Sequence, residues 1–370
     1  MLSFEQLWIL AKSRKTEIGE NYEKYHFPYT KLSTPFKRLK RHEINALMLL
    51  TVEKSVDLCR LLKTPFLPLQ DIMNNPGYKK FQIGKKAGGE RQICAPEQRL
   101  KTIQKRLNYF LQAYYLCIKP KEVHGFVVNP HYLKKACNVV ENAKPHVKKK
   151  HVFNVDLEDF FPSISAKRIK ETFASPYFDF SDQIIHALTL LTTFEGKLPI
   201  GAPTSPVVSN FVCLALDKDL IGFCESNNLV YTRYADDLTF SSETKIDRKL
   251  SLDLIHLILK NNFAINENKL RMRYANSKQT VTGLTVNEKV NVDRKLLKKI
   301  RAMLHDLSTN GIEQATQRHF KLTGSVDESH CATFINKLEG YINFVGQVRG
   351  KKDSLYGSFK LDLSILKVYH

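Results

Sequence analysis

Residues 230–241 read VYTRYADDLTFS, two short runs rich in β-branched and aromatic residues that flank the adjacent acids Asp236 and Asp237. Such runs on either side of turn-forming residues predict a β-hairpin with the two aspartates at its tip. Taken alone, an Asp-Asp pair in this position is typical of a solvated turn. The pair gains a chemical meaning only if other acidic residues converge on it, so the rest of the chain decides between the two interpretations.

The composition indicates a globular protein with an anionic partner. Of the 370 residues 43% are hydrophobic, and 57 Lys and Arg against 37 Asp and Glu give a net charge of +20. Because such an excess repels itself in a compact fold, we expect nucleic acid as the first candidate partner and an acidic membrane as the second. No apolar run approaches the roughly 18 residues that span a bilayer, so a cytoplasmic protein without a membrane segment is expected.

The seven cysteines are scattered and never form a C-x-x-C pair. This pattern argues against a disulfide framework and against a structural zinc site, and it favours a reducing compartment.

The elements predicted around the hairpin follow the order of a split βαβ sheet. They are a basic hairpin at 78–96, a helix at 99–116, a strand at 151–156, a helix from 166, a loop leading into an apolar helix at 198–220, a helix at 246–263 and strands at 278–287. The order strand, helix, strand, strand, helix, strand predicts an α+β fold. Residues 1–70 are expected to be helical and to end in the Pro-containing TPFLPL, and a helical lobe with one basic face is expected beyond residue 290.

The strand at 151–156 ends at Asp156, and pairing of this strand with the hairpin would bring Asp156 to Asp236 and Asp237. Three carboxylates in one place repel one another and persist where divalent cations neutralise them. Oxygen ligands favour two Mg²⁺ ions, or Mn²⁺, over zinc. Two such ions activate an attacking hydroxyl and stabilise the leaving oxygen of an in-line displacement, which is the chemistry of nucleotidyl transfer.

Five motifs in order resemble those of reverse transcriptases: NVDLEDFFPSI, GAPTSPVVSN, YADD, KNNFAINENKL and VTGLTVN. The resemblance implies a right-hand polymerase with a ferredoxin-like palm sheet. It implies an N-terminal helical extension at 1–70, fingers with the start of the palm at 71–155, a palm with finger insertions at 156–290 and a helical thumb at 291–370. The last stretch is expected to be too short to contain an RNase H domain as well.

The resemblance also implies roles for the acidic residues and for one lysine. Asp156, Asp236 and Asp237 resemble the metal-binding triad, and the backbone carbonyl of Leu157 would be an additional ligand. Lys269 resembles the lysine near the pyrophosphate, a general acid.

Further residues resemble those that hold the incoming dNTP. Lys85 and Arg91 in the basic hairpin resemble the contacts to the triphosphate, where cationic groups neutralise phosphate charge. Phe161 resembles the aromatic gate that excludes a ribose 2′-OH, although plain core packing is an alternative for this residue. The loop that approaches template and nucleotide would comprise Gly201, Ala202 and Pro203, and Tyr234 would pack under the primer end. Ile200 stands where many relatives have Gln, so any polar contact from that side chain is absent or made elsewhere.

Two shorter signatures resemble the special regions of bacterial retron reverse transcriptases: Asn142-Ala143 with His146, and Val281-Thr282-Gly283. The resemblance implies a cognate structured non-coding RNA that serves as template and as 2′-OH primer, giving a branched RNA-linked single-stranded DNA. It further implies trimming of the template by the host's RNase H and, in antiphage defence, an effector protein encoded by an adjacent gene.

Two alternatives stay open from the sequence. The chain could be another bacterial reverse transcriptase, of group II intron or abortive-infection type. It could also be an RNA-binding scaffold that keeps the fold without catalysis.

Overall fold

The structure is a computed structural model that describes residues 4–13, 39–84, 88–133 and 136–369. Lys85, which the sequence predicts to contact the triphosphate, lies outside the described residues. The described strands are β1 (Tyr78–Gly84), β2 (Glu90–Pro96), β3 (His151–Asp156), β4 (Val230–Tyr234), β5 (Asp237–Ser242), β6 (Arg271–Tyr274), β7 (Thr280–Val281) and β8 (Leu284–Thr285).

The described helices fall before, between and after these strands. They are α1 (Phe4–Ser13), α2 (Arg41–Leu50), α3 (Ser55–Leu62), α4 (Phe66–Asn74), α5 (Gln98–Ile118), α6 (Val139–Ala143), α7 (Ala166–Phe173), α8 (Asp182–Thr192), α9 (Ser205–Val212), α10 (Leu214–Ser226), α11 (Arg248–Lys260), α12 (Arg294–Phe320), α13 (Glu328–Arg349) and α14 (Ser354–Tyr369). Short 3₁₀ turns occupy Lys144–His146 and Glu267–Lys269.

The central sheet has the strand order β4-β5-β3-β6. Helices α7 to α10 connect β3 to β4, and α11 connects β5 to β6, so the sheet is the predicted split βαβ arrangement. β3 and β6 pair antiparallel, with His151 opposite Tyr274 and Asn154 opposite Arg271. The predicted α+β class is confirmed.

The fourth strand of this sheet is Arg271–Tyr274, where the sequence predicted 278–287. The latter segment forms a separate two-stranded ladder, β7 with β8. The reason for the error is that RMRY is only four residues long, carries two arginines and is exposed at both ends, as an edge strand can be, so its short alternation of polar and apolar residues does not stand out.

The segment TPFLPL begins a helix, although the sequence predicted that the N-terminal helical region ends there. Pro65 is the N-cap of α4, and Pro68 lies in its first turn. Proline is tolerated there because the first N–H groups of a helix have no partner within it.

The chain divides into two compact units, and the first comprises residues 1–137, 155–238 and 247–270. In this unit α5 packs against α2, and the predicted apolar stripe of α5 is buried at Leu100, Ile103, Leu107 and Leu111. The hairpin β1–β2 is antiparallel, as predicted, and pairs Tyr78 with Pro96.

The second unit comprises residues 138–154, 239–246 and 271–370. Its core joins the apolar stripe of α12 (Leu297, Ile300, Met303, Leu304 and Leu307) to buried residues of α13 and α14. α12 is kinked at Gly311, whose φ of 74° is left-handed.

No helix among the described residues is long and apolar enough to cross a membrane. All seven cysteines are free thiols.

Candidate active site

The hairpin tip at the centre of the site is a two-residue turn, Ala235-Asp236, between β4 and β5. Ala235 has φ 61° and Asp236 does not have a positive φ, which is the φ pattern of a type II′ turn. Asp237 is the first residue of β5. The turn therefore presents two successive carboxyl groups at one end of the sheet, and the predicted hairpin is confirmed.

Backbone hydrogen bonds fix the end of β3 against this turn. The Leu157 N–H donates to the Asp236 carbonyl at 2.9 Å, and the Asn266 N–H donates to the Asp156 carbonyl at 2.8 Å. The Glu158 N–H donates to the Ala264 carbonyl at 2.9 Å, so the chain after β3 is held on both sides. Asp156 thus lies beside the hairpin tip, as the sequence predicted.

The local environment disfavours charge on the two turn carboxylates. Burial, followed by the charges of Asp236 and Asp156, raises the pKa of Asp237 to about 7. Burial also raises the pKa of Asp236, and the charge of Asp156 acts in the same direction. Shifts of this kind cluster at functional sites, where burial and like charges are arranged to tune the pKa values of reactive groups.

Lys269 forms an ion pair with the third carboxylate. Its Nζ lies 2.8 Å from Asp156 Oδ1, and the two side chains are 55% and 21% exposed. Because the lysine is largely in water, the pair contributes little to stability. Its position at the acidic cluster is what matters for chemistry.

Among the described residues, no three His, Cys, Asp or Glu side chains are grouped closely enough to hold a metal ion as they stand. The donor chemistry nevertheless fits a hard divalent cation, since the carboxylates supply oxygen and have raised pKa values that a cation would lower again. Holding a cation would require Asp156 to exchange its bond to Lys269 for the ion.

Two adjacent phenylalanines follow Asp156 and have different environments. Phe160 is 5% exposed and its ring centroid lies 5.8 Å from that of Phe263, so it is the core residue of the two. Phe161 is half-buried, and its ring centroid lies 5.5 Å from that of Phe126. The residue predicted as the gate is therefore the one that keeps an accessible face.

The predicted nucleotide loop contacts the basic hairpin through its backbone. The Cys94 N–H on β2 donates to the Ile200 carbonyl at 2.7 Å. Gly201 has φ 117°, and a Cβ added there would lie 3.0 Å from the Cys94 carbonyl oxygen, so this position requires glycine. Ala202 is buried and Pro203 half-buried. The departure at Ile200 leaves a backbone contact to the hairpin in place.

Arg91 of the same hairpin is exposed, and its charge reaches the site, where it lowers the pKa of Asp236 against the larger effect of burial. Tyr234 is half-buried at the end of β4. Both residues belong to the first unit, as do the three aspartates.

The two short signatures lie together in the second unit. His146 Nδ1 is 2.6 Å from Ser241 Oγ, and Thr282 Oγ1 donates to the Val139 carbonyl at 3.4 Å. Val281 belongs to the core, and Gly283 is exposed with φ 80°. Asn142 and His146 are both 0% exposed. Any role of these two side chains in RNA binding must therefore be indirect.

Sequence reasoning missed Arg233, which is fully buried beneath the turn with Asp217 as its ion-pair partner. A signal was present: an arginine in a strand, two residues from Tyr231, lies on the same face as that buried ring.

A family profile described as "Reverse transcriptase (RNA-dependent DNA polymerase)" matches residues 83–287, more than half of the chain. The chain belongs to the reverse transcriptase family. The predicted right-hand polymerase fold is thereby confirmed, and this family generally uses divalent metal ions.

The relatives of this chain include retron enzymes. It is 31% identical over 301 residues to the retron Ec73 reverse transcriptase of Escherichia coli, covering 75% of this chain and 85% of that protein. It is 32% identical over 262 residues to the retron Mx65 reverse transcriptase of Myxococcus xanthus, covering 65% of this chain and 58% of that protein. The chain thus belongs to the retron group, although the match spans little more than half of the Mx65 enzyme.

Among solved structures, this reverse transcriptase resembles telomerase from Candida albicans in complex with a TWJ fragment of telomeric RNA. The TM-score is 0.45 at 10% identity, covering 79% of this chain and 61% of that one. A likeness of this degree carries no inference about the chain.

Proposed function

We propose that the chain is an RNA-directed DNA polymerase of retron type. The observation that carries the proposal is the meeting of Asp156 with Asp236 and Asp237, held by the Leu157-to-Asp236 backbone bond, in a chain of the reverse transcriptase family. The presence of all three carboxylates weighs against a scaffold without catalysis, because a scaffold gains nothing from burying repelling acids.

In this proposal Asp156, Asp236, Asp237 and the Leu157 carbonyl hold two Mg²⁺ ions, with Mn²⁺ as the alternative. When bound, such ions lower the pKa of the attacking hydroxyl and stabilise charge on the leaving oxygen. The remaining tasks fall to the protein's own residues.

Cationic side chains manage the phosphate charge. Arg91, whose charge is felt at Asp236, and Lys85 bind the triphosphate and hold it for in-line attack. Lys269 leaves Asp156 when the site fills and donates its proton from Nζ to the departing pyrophosphate. The release of Lys269 and the binding of a cation by Asp156 would then be a single exchange.

Phe161 discriminates between the deoxyribose and the ribose of the incoming nucleotide. Its ring lies five residues beyond Asp156, with Phe160 buried behind it and Phe126 against it, and a bulky ring there collides with a ribose 2′-OH. Gly201, Ala202 and Pro203 form the adjoining wall, and Tyr234 supports the primer end. The substrates are therefore dNTPs.

The retron relatives support the further proposal that a cognate non-coding RNA is both template and primer. Synthesis from a 2′-OH would give branched RNA-linked DNA, with the template trimmed by the host's RNase H. An effector from an adjacent gene and a role in antiphage defence complete the proposal. The net charge of +20 supports lasting contact with nucleic acid, since phosphate neutralisation dominates such binding.

The test begins with the purified chain, an RNA template with a DNA primer, and labelled dNTPs. Asp236→Asn should abolish DNA synthesis and leave RNA binding unchanged. Asp159→Asn is the matched control, because Asp159 is an exposed acid near the same site and should tolerate the change. Equal synthesis by wild type and Asp236→Asn would refute the assignment.

Whether the chain is of retron type is tested separately. The protein is purified from its native host, and the nucleic acid that copurifies with it is identified. A branched RNA-linked DNA of defined length is expected. Recovery of DNA without an RNA branch would instead support one of the other bacterial reverse transcriptases.

A further inference from the structure

A charged pair is buried directly beneath the catalytic turn. The Arg233 and Asp217 side chains are both 0% exposed, and Arg233 is the largest of the fully buried side chains in the described part of the chain. Arg233 donates to Asp217 through Nε at 2.7 Å and Nη2 at 2.6 Å, and the Tyr231 hydroxyl donates to Asp217 Oδ1 at 2.8 Å. Because apolar residues of similar volume often stabilise a core as well as a buried ion pair does, stability alone does not account for this one.

The remaining guanidinium nitrogen reaches the turn itself. Arg233 Nη1 donates to the Ala235 carbonyl at 3.1 Å and to Asn210 Oδ1 at 3.0 Å. The Ala235 carbonyl belongs to the peptide that enters Asp236, and Ala235 holds a φ of 61° that is unfavourable for a residue with a Cβ. Arg233 therefore fixes the orientation of the peptide on which the first turn carboxylate depends.

Gly125 lies directly against the backbone of the turn. Asn210 Nδ2 donates to the Gly125 carbonyl at 3.1 Å, and a Cβ added to Gly125 would lie 2.2 Å from the Ala235 nitrogen. The backbone of Arg233 is bonded to the same segment, since its N–H donates to the Glu122 carbonyl and its carbonyl accepts from the His124 N–H, both at 3.0 Å. The turn thus packs against the backbone of Gly125 and is held by the side chain of Arg233.

We propose that Arg233 is a positioning residue of the polymerase, which acts with Asp217 and Asn210 to hold the Ala235-Asp236 peptide against Gly125. This inference rests on the proposed function, because it assigns a task within the same catalytic site. A displacement of about 1 Å in reacting groups lowers rates by about a hundredfold, so a released turn should still bind nucleotide and react slowly.

The first test removes the charges without leaving one of them buried alone. The variant R233M/D217L/Y231F replaces the pair and the hydroxyl that serves it with apolar groups, and thermal unfolding reports whether the fold is kept. We expect a single-turnover rate constant about a hundredfold below wild type, with KM for dNTP within about threefold, because the nucleotide contacts lie on other residues. A wild-type rate constant in a folded triple variant would overturn the proposal.

The second test leaves the ion pair intact and moves the turn. Gly125 has no positive φ, so Gly125→Ala acts through the contact of its Cβ with the backbone of Tyr234 and Ala235. Gly222→Ala on the open surface of α10 is its matched control. The single-turnover rate constant should fall in the first variant and stay at the wild-type value in the second. Arg233→Lys keeps the charge but cannot reach all three acceptors at once, and its rate constant should fall as well.

These outcomes separate the two proposals. If wild type itself synthesises no DNA, the proposed function fails. If wild type is active while Gly125→Ala and Arg233→Lys react at its rate constant, the positioning role alone fails.

Discussion

Replacing Asp237 by Asn should stabilise the metal-free protein at pH 8 while abolishing DNA synthesis. Burial, with the charges of Asp236 and Asp156, raises the pKa of Asp237 from 3.8 to about 7. Between these two values the folded state binds more protons than the unfolded state, so the free energy of unfolding falls as the pH rises. The ionised carboxylate that a cation requires is thus a destabilising group whenever the cation is absent.

The size of the effect follows from the two pKa values. Their difference is about 3 units, and each unit corresponds to about 1.4 kcal/mol, so ionised Asp237 costs the metal-free fold about 4 kcal/mol at pH 8. Asn has nearly the same shape and no charge, and it should recover most of this amount. At pH 4 the wild-type carboxyl is protonated in the folded state, and the two proteins should be about equally stable.

The assay is urea unfolding in EDTA at pH 4, 6 and 8, with Asp159→Asn as the control for loss of an exposed acid. The advantage of Asp237→Asn should grow steadily with pH. Added Mg²⁺ should stabilise wild type and have little effect on the variant, because ligand binding to the folded state raises its stability. A variant no more stable than wild type at pH 8 would show that Asp237 is not held in a charge-disfavouring environment.

Three further outcomes are expected. Phe126→Ala should loosen the Phe161 ring and raise ribonucleotide incorporation about tenfold, measured as the ratio of kcat/KM for rNTP to that for dNTP. An unchanged ratio would show that Phe126 does not position the Phe161 ring. Lys269→Met should lower the single-turnover rate about a hundredfold, as loss of a general acid does. The free energy of unfolding should change by under about 1 kcal/mol, because the lysine of the pair with Asp156 is exposed, and a large loss of stability would contradict this. His146→Ala should destabilise the protein by about 2–3 kcal/mol, because the buried hydrogen bond to Ser241 is lost. A variant of wild-type stability that binds RNA more weakly would instead indicate direct contact between His146 and RNA.

Within the central sheet, sequence reasoning predicted the three strands that bury side chains and missed the one that does not. β3, β4 and β5 bury apolar or paired residues, so their runs stand out in the chain. Arg271–Tyr274 is an edge strand whose partner is chosen by the sheet rather than by its own pattern. The division of the chain into fingers, palm and thumb stays a prediction.

The acidic site was predictable for a different reason. Three carboxylates from two separate motifs have no simple structural use, so their chemistry pointed to one place before any geometry was known. Arg233 was predictable only in part. Its place two residues from Tyr231 signals the buried face of β4, but an arginine is ordinary in a basic chain and its burial depends on Asp217, which lies on α10. Charge complementarity inside a core is visible only after folding.

Burial also divides the motif residues into two kinds that a sequence pattern cannot separate. Lys269 and Arg91 are exposed and can meet a substrate directly, whereas Asn142 and His146 are 0% exposed and can affect RNA only through the residues they hold in place. The exposed lysines of α12, such as Lys298 and Lys299, offer charge to phosphate but no sequence information. In the proposed function, selection of one RNA would then depend on the shape of the surface above the buried signatures, which agrees with the way proteins recognise folded RNA.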